Sequence, residues 1–191
     1  MSAEPKRHWT VVEYLEYDRA SDQRHVYEDG EVLLMVGASV KHNIIASNTI
    51  TSLNVQLGER PCIVFPSDLR VRVSATRYNY PDITVICDPP QIEDDHQDTL
   101  LNPTLIIEVL SPSTESYDRG KKFQQYRGIA TLQEYVLIAQ DNIRVESFLR
   151  QANDQWLLSD AAGLNAVIEL PSIACTLALS DVYKKVTFDD E

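Results

Sequence analysis

The most constraining feature of the sequence is a carboxylate inside an apolar run. The segment Thr104–Leu110 is apolar except for Glu108, and a run of this kind predicts a central strand that is buried on both faces. An ionised carboxylate in such a strand destabilises the fold by several kcal/mol unless another group compensates its charge. The sequence therefore predicts a group near Glu108 that compensates its charge.

A second carboxylate stands at the start of another predicted strand. Asp82 follows Tyr80-Pro81 and precedes the strand-like run Ile83–Cys87. Two carboxylates on adjacent strands repel each other unless protons or a cation intervene, and Mg²⁺ needs only one or two carboxylates because it keeps several waters. The spacing fits a metal site, and it fits equally well a salt-bridged Glu108 with a turn-capping Asp82.

A basic helix is predicted directly after the Glu108 strand. It spans Ser116–Gly128, and Asp118, Lys122 and Tyr126 share one stripe of it because they are spaced four residues apart. Positions 119 to 127 contain four basic residues and no acidic one, a local reversal of charge that suits a phosphate-facing site. The alternative is a solvated helix face with Asp118 and Lys122 as a surface pair.

The overall charge restricts the partners of the chain. Its 191 residues include 29 acidic and 17 basic ones, which gives a net charge of −12. Such a field disfavours indiscriminate binding to nucleic acid or anionic membranes. No apolar run is long enough for a transmembrane helix and no secretory signal is visible. We therefore expect one cytoplasmic domain over residues 1–191, without a membrane partner.

The three cysteines point to a reducing compartment. Cys62, Cys87 and Cys175 are odd in number, far apart and without a Cys-x-x-Cys motif. This usage predicts neither a disulfide framework nor a zinc ribbon.

The pattern of elements predicts an α/β sandwich around a mixed sheet. Helices are expected at Thr10–Arg19, which opens with a possible capping box, and at Ser39–Leu57, which ends at Gly58. Asp29-Gly30 predicts a tight β-hairpin turn. Further strands are expected at positions 62–65, 69–73, 83–87, 104–110, 135–139, 143–149 and 155–158, and a short helix at 180–184.

These segments together resemble a known family. Tyr80-Pro81-Asp82, the run from Ile106 to Thr114, the spacing Asp118-x₃-Lys122-x₃-Tyr126 and the run from Glu134 to Leu137 are similar to the Uma-type, restriction-endonuclease-like proteins of the PD-(D/E)xK superfamily. The resemblance covers roughly residues 10 to 185. It implies a restriction-endonuclease-like α+β fold, in which a mixed sheet is flanked by helices, with an N-terminal hairpin and a C-terminal β extension.

The resemblance implies metal-dependent hydrolysis of phosphodiester bonds, with DNA as the first candidate and RNA or a small nucleotide as alternatives. Asp82 and Glu108 would hold Mg²⁺ or Mn²⁺ together with the backbone carbonyl of Val109, and Lys122 would stabilise developing negative charge. The superfamily usually places this lysine two residues after the acidic residue. Leu110 stands there in this sequence, so the following helix is expected to supply the lysine.

Further residues are candidates for the cleft or for contacts with DNA. Glu28 is similar to an acidic residue that the superfamily often recruits from its first element, and His42 is similar to the histidine that opens the family's next helix. Tyr126 is a further cleft candidate. Each has a structural role as its alternative. The candidate phosphate contacts, with a solvated surface as the alternative, are Arg70, Arg72, Arg119 and Lys121.

The resemblance also implies a homodimer, because superfamily members that cut both strands commonly pair. The tail Ile143–Leu170 offers extra surface for that contact. A non-catalytic interaction module that retains the nuclease fold is the alternative function.

In the metal-site hypothesis, Asp82 and Glu108 lie within about 6 Å of each other on neighbouring strands. Lys122 then points toward them, and Lys121, which is about 100° around the helix, points elsewhere.

Overall fold

The structure, a computed structural model, describes residues 7–188. Its helices are α1 (Val11–Ala20), α2 (Val40–Leu57), α3 (Glu115–Tyr117), α4 (Phe123–Tyr126) and α5 (Leu179–Val182). A π-helical turn, Asp118–Lys122, joins α3 to α4, and a 3-10 turn spans Pro171–Ile173. The strands are β1 (His25–Glu28), β2 (Glu31–Leu34), β3 (Ile63–Pro66), β4 (Arg70–Ser74), β5 (Arg77–Asn79), β6 (Ile83–Ile86), β7 (Thr99–Leu100), β8 (Leu105–Leu110), β9 (Glu134–Ala139), β10 (Arg144–Arg150), β11 (Trp156–Ala162), β12 (Val167–Leu170) and β13 (Cys175–Ala178).

These strands form three sheets within the described chain. A six-stranded sheet has the order β11-β10-β9-β8-β6-β3, a five-stranded sheet has the order β2-β1-β5-β4-β7, and β12 pairs with β13. The two larger sheets are mixed, since β8 runs parallel to β9 and β4 runs parallel to β7. The predicted α+β class with mixed sheets and an N-terminal hairpin is therefore confirmed, although the strands divide into three sheets and not one.

Local signals place the helix ends and the hairpin turn. The Thr10 side chain accepts a hydrogen bond from the Glu13 N–H, and the Glu13 carboxylate accepts one from the Thr10 N–H, so the capping box is present. Asp29 and Gly30 both have positive φ, 48° and 96°. A tight turn between antiparallel strands needs this conformation, and Asp-Gly adopts it at little cost.

The core lies on both faces of the central strands β8 and β9, whose residues are all buried. One face of β8 presents Leu105, Ile107 and Val109 to a cluster that also contains α2 and α5. The other face presents Ile106 and Leu110 to a cluster with Tyr126 and residues of β4. Because side chains alternate along a strand, Glu108 faces this second cluster. The apolar run therefore forms the doubly buried strand that the sequence predicts.

The cysteine prediction is wrong at one point, because Cys62 and Cys87 form a disulfide. Ile63 pairs with Ile86 in the β3–β6 ladder, so the two cysteines extend this register by one residue and lie opposite each other. The sequence did not reveal the pair, because the two cysteines are 25 positions apart and no local pattern shows that they face each other. The cysteine argument for a reducing compartment therefore loses its basis.

Among residues 7–188, no helix combines the length and apolar character that crossing a bilayer requires.

Candidate active site

Asp82 and Glu108 face each other across the β6–β8 ladder. Ile83 pairs with Ile107 and Thr84 with Ile106 in antiparallel register, so one further step places Asp82 opposite Glu108. Directly opposed residues in such a pair have Cβ atoms about 5 Å apart on the same face of the sheet. The structure therefore brings together the two carboxylates that the sequence singled out, where β6 begins and β8 approaches its end.

Asp82 is fixed through one of its two oxygens. Its Oδ2 accepts a hydrogen bond of 2.8 Å from the Val109 N–H and lies 3.0 Å from His42 Nε2. Its Oδ1 accepts no hydrogen bond from residues 7–188. His42 is in this position because Ser39 caps α2 and places His42 in its first turn. The structure thus brings His42 to the site, in contact with a candidate ligand.

Glu108 has the same asymmetry. Its Oε1 lies 2.7 Å from Lys122 Nζ and accepts a 3.0 Å hydrogen bond from the Tyr126 hydroxyl. Its Oε2 accepts none within the described part of the chain. Glu108 is 3% exposed and Tyr126 is fully buried, so both contacts are shielded from water. Tyr126 therefore contacts a candidate ligand and also belongs to the apolar core.

Asp118 is a site residue that the sequence analysis did not select. It is 3% exposed, and its Oδ1 lies 3.1 Å from Lys122 Nζ, so the lysine bridges Glu108 and Asp118. The four-residue spacing of Asp118 and Lys122 signalled their contact, but it suited a surface pair equally well. The helical segment that carries Asp118, Lys122 and Tyr126 packs onto the second core cluster. This packing buries Asp118 and makes it part of the site.

Burial and neighbouring charges shift the pKa values of the central pair. Burial is the largest influence on the pKa of Glu108 and raises it, as do the charges of Asp82 and Asp118, while the adjacent Lys122 ammonium lowers it and favours the charged carboxylate. Burial by itself lowers the pKa of the Lys122 ammonium. The charges of Glu108, Asp118 and Asp82 outweigh that effect and raise the Lys122 pKa above its ordinary value. Lys122, whose side chain is 14% exposed, is therefore a cation across the neutral range.

The donor set fits a small, hard divalent cation. Each carboxylate has one oxygen that accepts no protein hydrogen bond, Oδ1 of Asp82 and Oε2 of Glu108. The Val109 N–H faces Asp82, and the carbonyl of a strand residue points to the same side as its N–H. No cluster of three or more histidine, cysteine or acidic side chains suited to a metal occurs in residues 7–188. Two carboxylates and a carbonyl suit Mg²⁺, which retains waters, better than an ion that needs a full protein cage.

Glu28 contacts the helical segment that carries Lys122, but through other residues of that segment. Its Oε1 lies 2.7 Å from Lys121 Nζ and accepts a 2.5 Å hydrogen bond from the Gln125 side chain. No contact within residues 7–188 links Glu28 directly to Asp82 or Glu108. The two adjacent lysines therefore diverge, since Lys122 binds Glu108 whereas the largely exposed Lys121 binds Glu28.

The structure corrects the predicted phosphate contact of Arg70. Its side chain is 2% exposed and packs against α1, where it binds Asp18 at 2.8 Å. It also donates to the hydroxyls of Tyr80 at 3.0 Å and Thr99 at 2.8 Å. The alternation of β4 had indicated a polar face toward solvent, but α1 covers that face. A buried arginine with its donors occupied cannot reach a phosphate.

The other predicted phosphate contacts lie nearer the surface but already have acidic partners. Arg72 lies 3.1 Å from Glu93, and Arg119 binds both Glu115 and Glu146. A phosphate would have to displace these carboxylates. The phosphate contacts of Arg72, Arg119 and Lys121 stay predictions.

Comparison with known proteins identifies the family of the chain. The family model Uma2, described as "Putative restriction endonuclease", matches residues 11–180. Two proteins of Synechocystis sp., "Uncharacterized protein sll1609" and "Uncharacterized protein slr1290", are 38% and 32% identical over 161 and 179 residues. The alignments cover 84% and 92% of this chain and 91% and 92% of those proteins.

One solved structure shows the same fold. It is a "putative nuclease belonging to DUF820" from Anabaena variabilis, with a TM-score of 0.76 and 20% identity over 94% of this chain and 99% of that one. The family model spans nearly the whole described chain and includes every element that builds the site. The chain therefore belongs to the Uma2 family of restriction-endonuclease-like proteins.

Proposed function

We propose that this chain is a metal-dependent nuclease that hydrolyses phosphodiester bonds in DNA. The observation that carries the proposal is the pair Asp82 and Glu108, opposed across two strands beside the partly exposed ammonium of Lys122. Each carboxylate has one oxygen held by protein donors and one without a donor among residues 7–188. The description of the family as a restriction endonuclease supports DNA as the substrate.

Mg²⁺ or Mn²⁺ is the proposed cofactor, held by Asp82, Glu108 and the Val109 carbonyl. When bound, such an ion lowers the pKa of a coordinated water and neutralises charge on the phosphoryl oxygens. The chain has a net charge of −12, and carboxylates face the site. A phosphodiester is therefore repelled unless a cation reverses the local sign.

Lys122 is the proposed electrostatic catalyst. Its ammonium stays charged because three carboxylates raise its pKa against the effect of burial. A fixed positive charge in a dry site stabilises the negative charge that develops on the phosphoryl group and needs no reorganisation during the reaction. Asp118 holds the lysine through a 3.1 Å contact, so Lys122 stays positioned when Glu108 engages another cation.

The decisive experiment is cleavage of supercoiled plasmid DNA by the purified chain with Mg²⁺ or Mn²⁺. We expect nicked or linear products from the wild type and a loss of product for Asp82→Asn, because the amide removes the charge that holds the ion. Asp88→Asn is the matched control, since Asp88 is exposed and follows the other end of β6. It should cleave as the wild type does.

Several outcomes contradict parts of the proposal. Equal cleavage by Asp82→Asn and the wild type would remove Asp82 from the site. Cleavage of an RNA oligonucleotide but not of DNA would overturn the substrate. If the wild type cuts neither polymer with either ion, the non-catalytic interaction module becomes the better reading.

We also propose that the chain pairs into a homodimer through β11. This strand is the outer member of the six-stranded sheet, and within residues 7–188 it pairs only with β10. Leu157 and Leu158 on it are 56% and 51% exposed, and an exposed apolar edge strand is a template for pairing with another chain. Light scattering should give twice the chain mass of 21.7 kDa. A monomer at micromolar concentration would contradict the pairing.

A further inference from the structure

Two side chains outside the proposed ligand set each contact one carboxylate of the site. His42 Nε2 lies 3.0 Å from Asp82 Oδ2, and the Tyr126 hydroxyl donates a 3.0 Å hydrogen bond to Glu108 Oε1. Both come from helical elements, α2 and α4, that pack onto the six-stranded sheet from opposite faces. In both cases the contact occupies one carboxylate oxygen and leaves the other without a protein donor among residues 7–188.

The chemistry of His42 fixes its role as a donor in this contact. An ionised carboxylate only accepts hydrogen bonds, so Nε2 carries a proton and is the donor in this contact. Nδ1 is buried and has no hydrogen-bond partner among the described residues. A buried polar atom without a partner is costly. The contact with Asp82 is therefore the polar interaction that holds this ring in the site.

From this arrangement we infer that His42 and Tyr126 are positioning residues that select which oxygen each carboxylate offers to the metal. This inference rests on the proposed function. The Val109 N–H donates to Asp82 Oδ2, the oxygen that His42 also contacts. Lys122 contacts Glu108 Oε1, the oxygen to which Tyr126 also donates. Each carboxylate can then contribute only one oxygen, Oδ1 or Oε2.

The number of carboxylate oxygens available at the site affects which ion binds best. Mg²⁺ accepts one or two carboxylate oxygens and fills its octahedron with water, whereas Ca²⁺ takes six to eight oxygens and often binds carboxylates in bidentate fashion. Donors that occupy the second oxygens therefore favour Mg²⁺ and Mn²⁺ over Ca²⁺. His42 and Tyr126 thus help to set the ion selectivity of the site as well as its affinity.

The test measures ion binding by the full chain without nucleic acid, by titration calorimetry with Mn²⁺, Mg²⁺ and Ca²⁺. His42→Leu and Tyr126→Phe should each weaken Mn²⁺ binding by about tenfold, as expected when a partner of a metal ligand is lost. The ratio of Ca²⁺ to Mg²⁺ affinity should rise in both variants. His42→Gln should restore the wild-type ratio, because its side-chain amide can donate from the position of Nε2.

Tyr183→Phe is the matched control for Tyr126→Phe. The Tyr183 hydroxyl is buried and donates to the Ala139 and Arg144 carbonyls, but it lies in the other core cluster and contacts neither carboxylate. Its loss should lower stability and leave ion affinities unchanged. The two His42 variants keep the test decisive if Tyr126→Phe does not fold.

The outcomes separate this inference from the proposed function. Wild-type affinities and an unchanged Ca²⁺ to Mg²⁺ ratio in His42→Leu and Tyr126→Phe would overturn the positioning role and leave the metal site intact. An equal loss of affinity for all three ions would also overturn it, because that pattern indicates general loosening of the site. A wild type that binds none of the ions would overturn both.

Discussion

At the scale of single residues, Lys122 decides the charge balance of the candidate site. Glu108 and Asp118 are each 3% exposed, and two buried carboxylates so close together require a cation. Lys122 lies within 3.1 Å of both. The sequence indicates this lysine because it lies four residues after Asp118 on the same face of the predicted helix. How deeply that face is buried depends on contacts with other segments of the chain.

The prediction at this scale compares the two adjacent lysines. Lys122→Ala should reduce plasmid cleavage by about 10² to 10³, the usual effect of losing one preorganised electrostatic contact. Lys121→Ala removes a surface pair with Glu28 and the predicted phosphate contact, so it should lose some salt sensitivity and still cleave nearly as the wild type does. The raised pKa of Lys122 keeps it charged at neutral and mildly alkaline pH, so its loss should have the same effect throughout that range. Equal rates for the two variants would exclude the catalytic role of Lys122.

At the scale of elements, α1 is held against the five-stranded sheet by a network of buried and half-buried charges. Asp18 on α1 binds Arg70 on β4, and Arg19 on α1 binds Asp98 with two hydrogen bonds of 2.7 and 2.9 Å. The Tyr80 hydroxyl donates to Asp18 only two residues before Asp82. The sequence predicted α1 and its capping box, but not these contacts, because they join residues more than 50 positions apart.

The prediction for this network concerns stability against pH. Hydrogen bonds from Arg19 are the largest cause that lowers the pKa of Asp98, to about 2 from an unfolded value of 3.8. A depressed carboxyl pKa stabilises the fold above the unfolded pKa, and this contribution disappears as the pH falls from about 4 to 2. Asp98→Asn should therefore lower the free energy of unfolding by about 1–2 kcal/mol at pH 6, allowing for solvent screening.

Urea denaturation at a series of pH values checks this prediction. The difference between the wild type and Asp98→Asn should narrow below pH 4 and vanish near pH 2, to the extent that the fold persists there. Asp95→Asn is the control, because Asp95 is an exposed acid in the same loop. A difference that is constant with pH would show that the charge of Asp98 contributes nothing.

At the scale of the whole molecule, pairing between distant strands positions the site. β6 carries Asp82 at its start and leads into Cys87 at its end, where the disulfide to Cys62 ties it to the edge strand β3. β8 lies on the other side of β6 and carries Glu108. The disulfide therefore fastens one end of the strand whose other end presents a candidate ligand.

The prediction at this scale is a thiol count. Denatured but unreduced protein should show one reactive thiol per chain, that of Cys175, and reduction should raise the count to three. Closing a loop of this length stabilises a fold by about 3 kcal/mol in the chain-entropy model, so reduction should lower the thermal midpoint. Three thiols without reductant would show that the disulfide does not form.

The sequence by itself determined the features that depend on near neighbours. The helix cap at Thr10, the end of α2 at Gly58, the Asp29-Gly30 turn and the buried β8 run follow from rules that act over a few residues, and the structure bears them out. The sequence also indicated which side chains to examine, because a carboxylate in an apolar strand has few stable explanations.

Only the tertiary structure decided which distant residues meet. It buried Arg70 under α1, joined Cys62 to Cys87, and buried Asp118, whose pair with Lys122 the spacing placed equally well at the surface. The short strands β5, β7, β12 and β13 also escaped the sequence patterns, because each owes its conformation to its pairing partner more than to its own two to four residues. The turn fixes the register of the hairpin β1–β2. Elsewhere the register depends on which distant segments pair, and no local pattern reveals that.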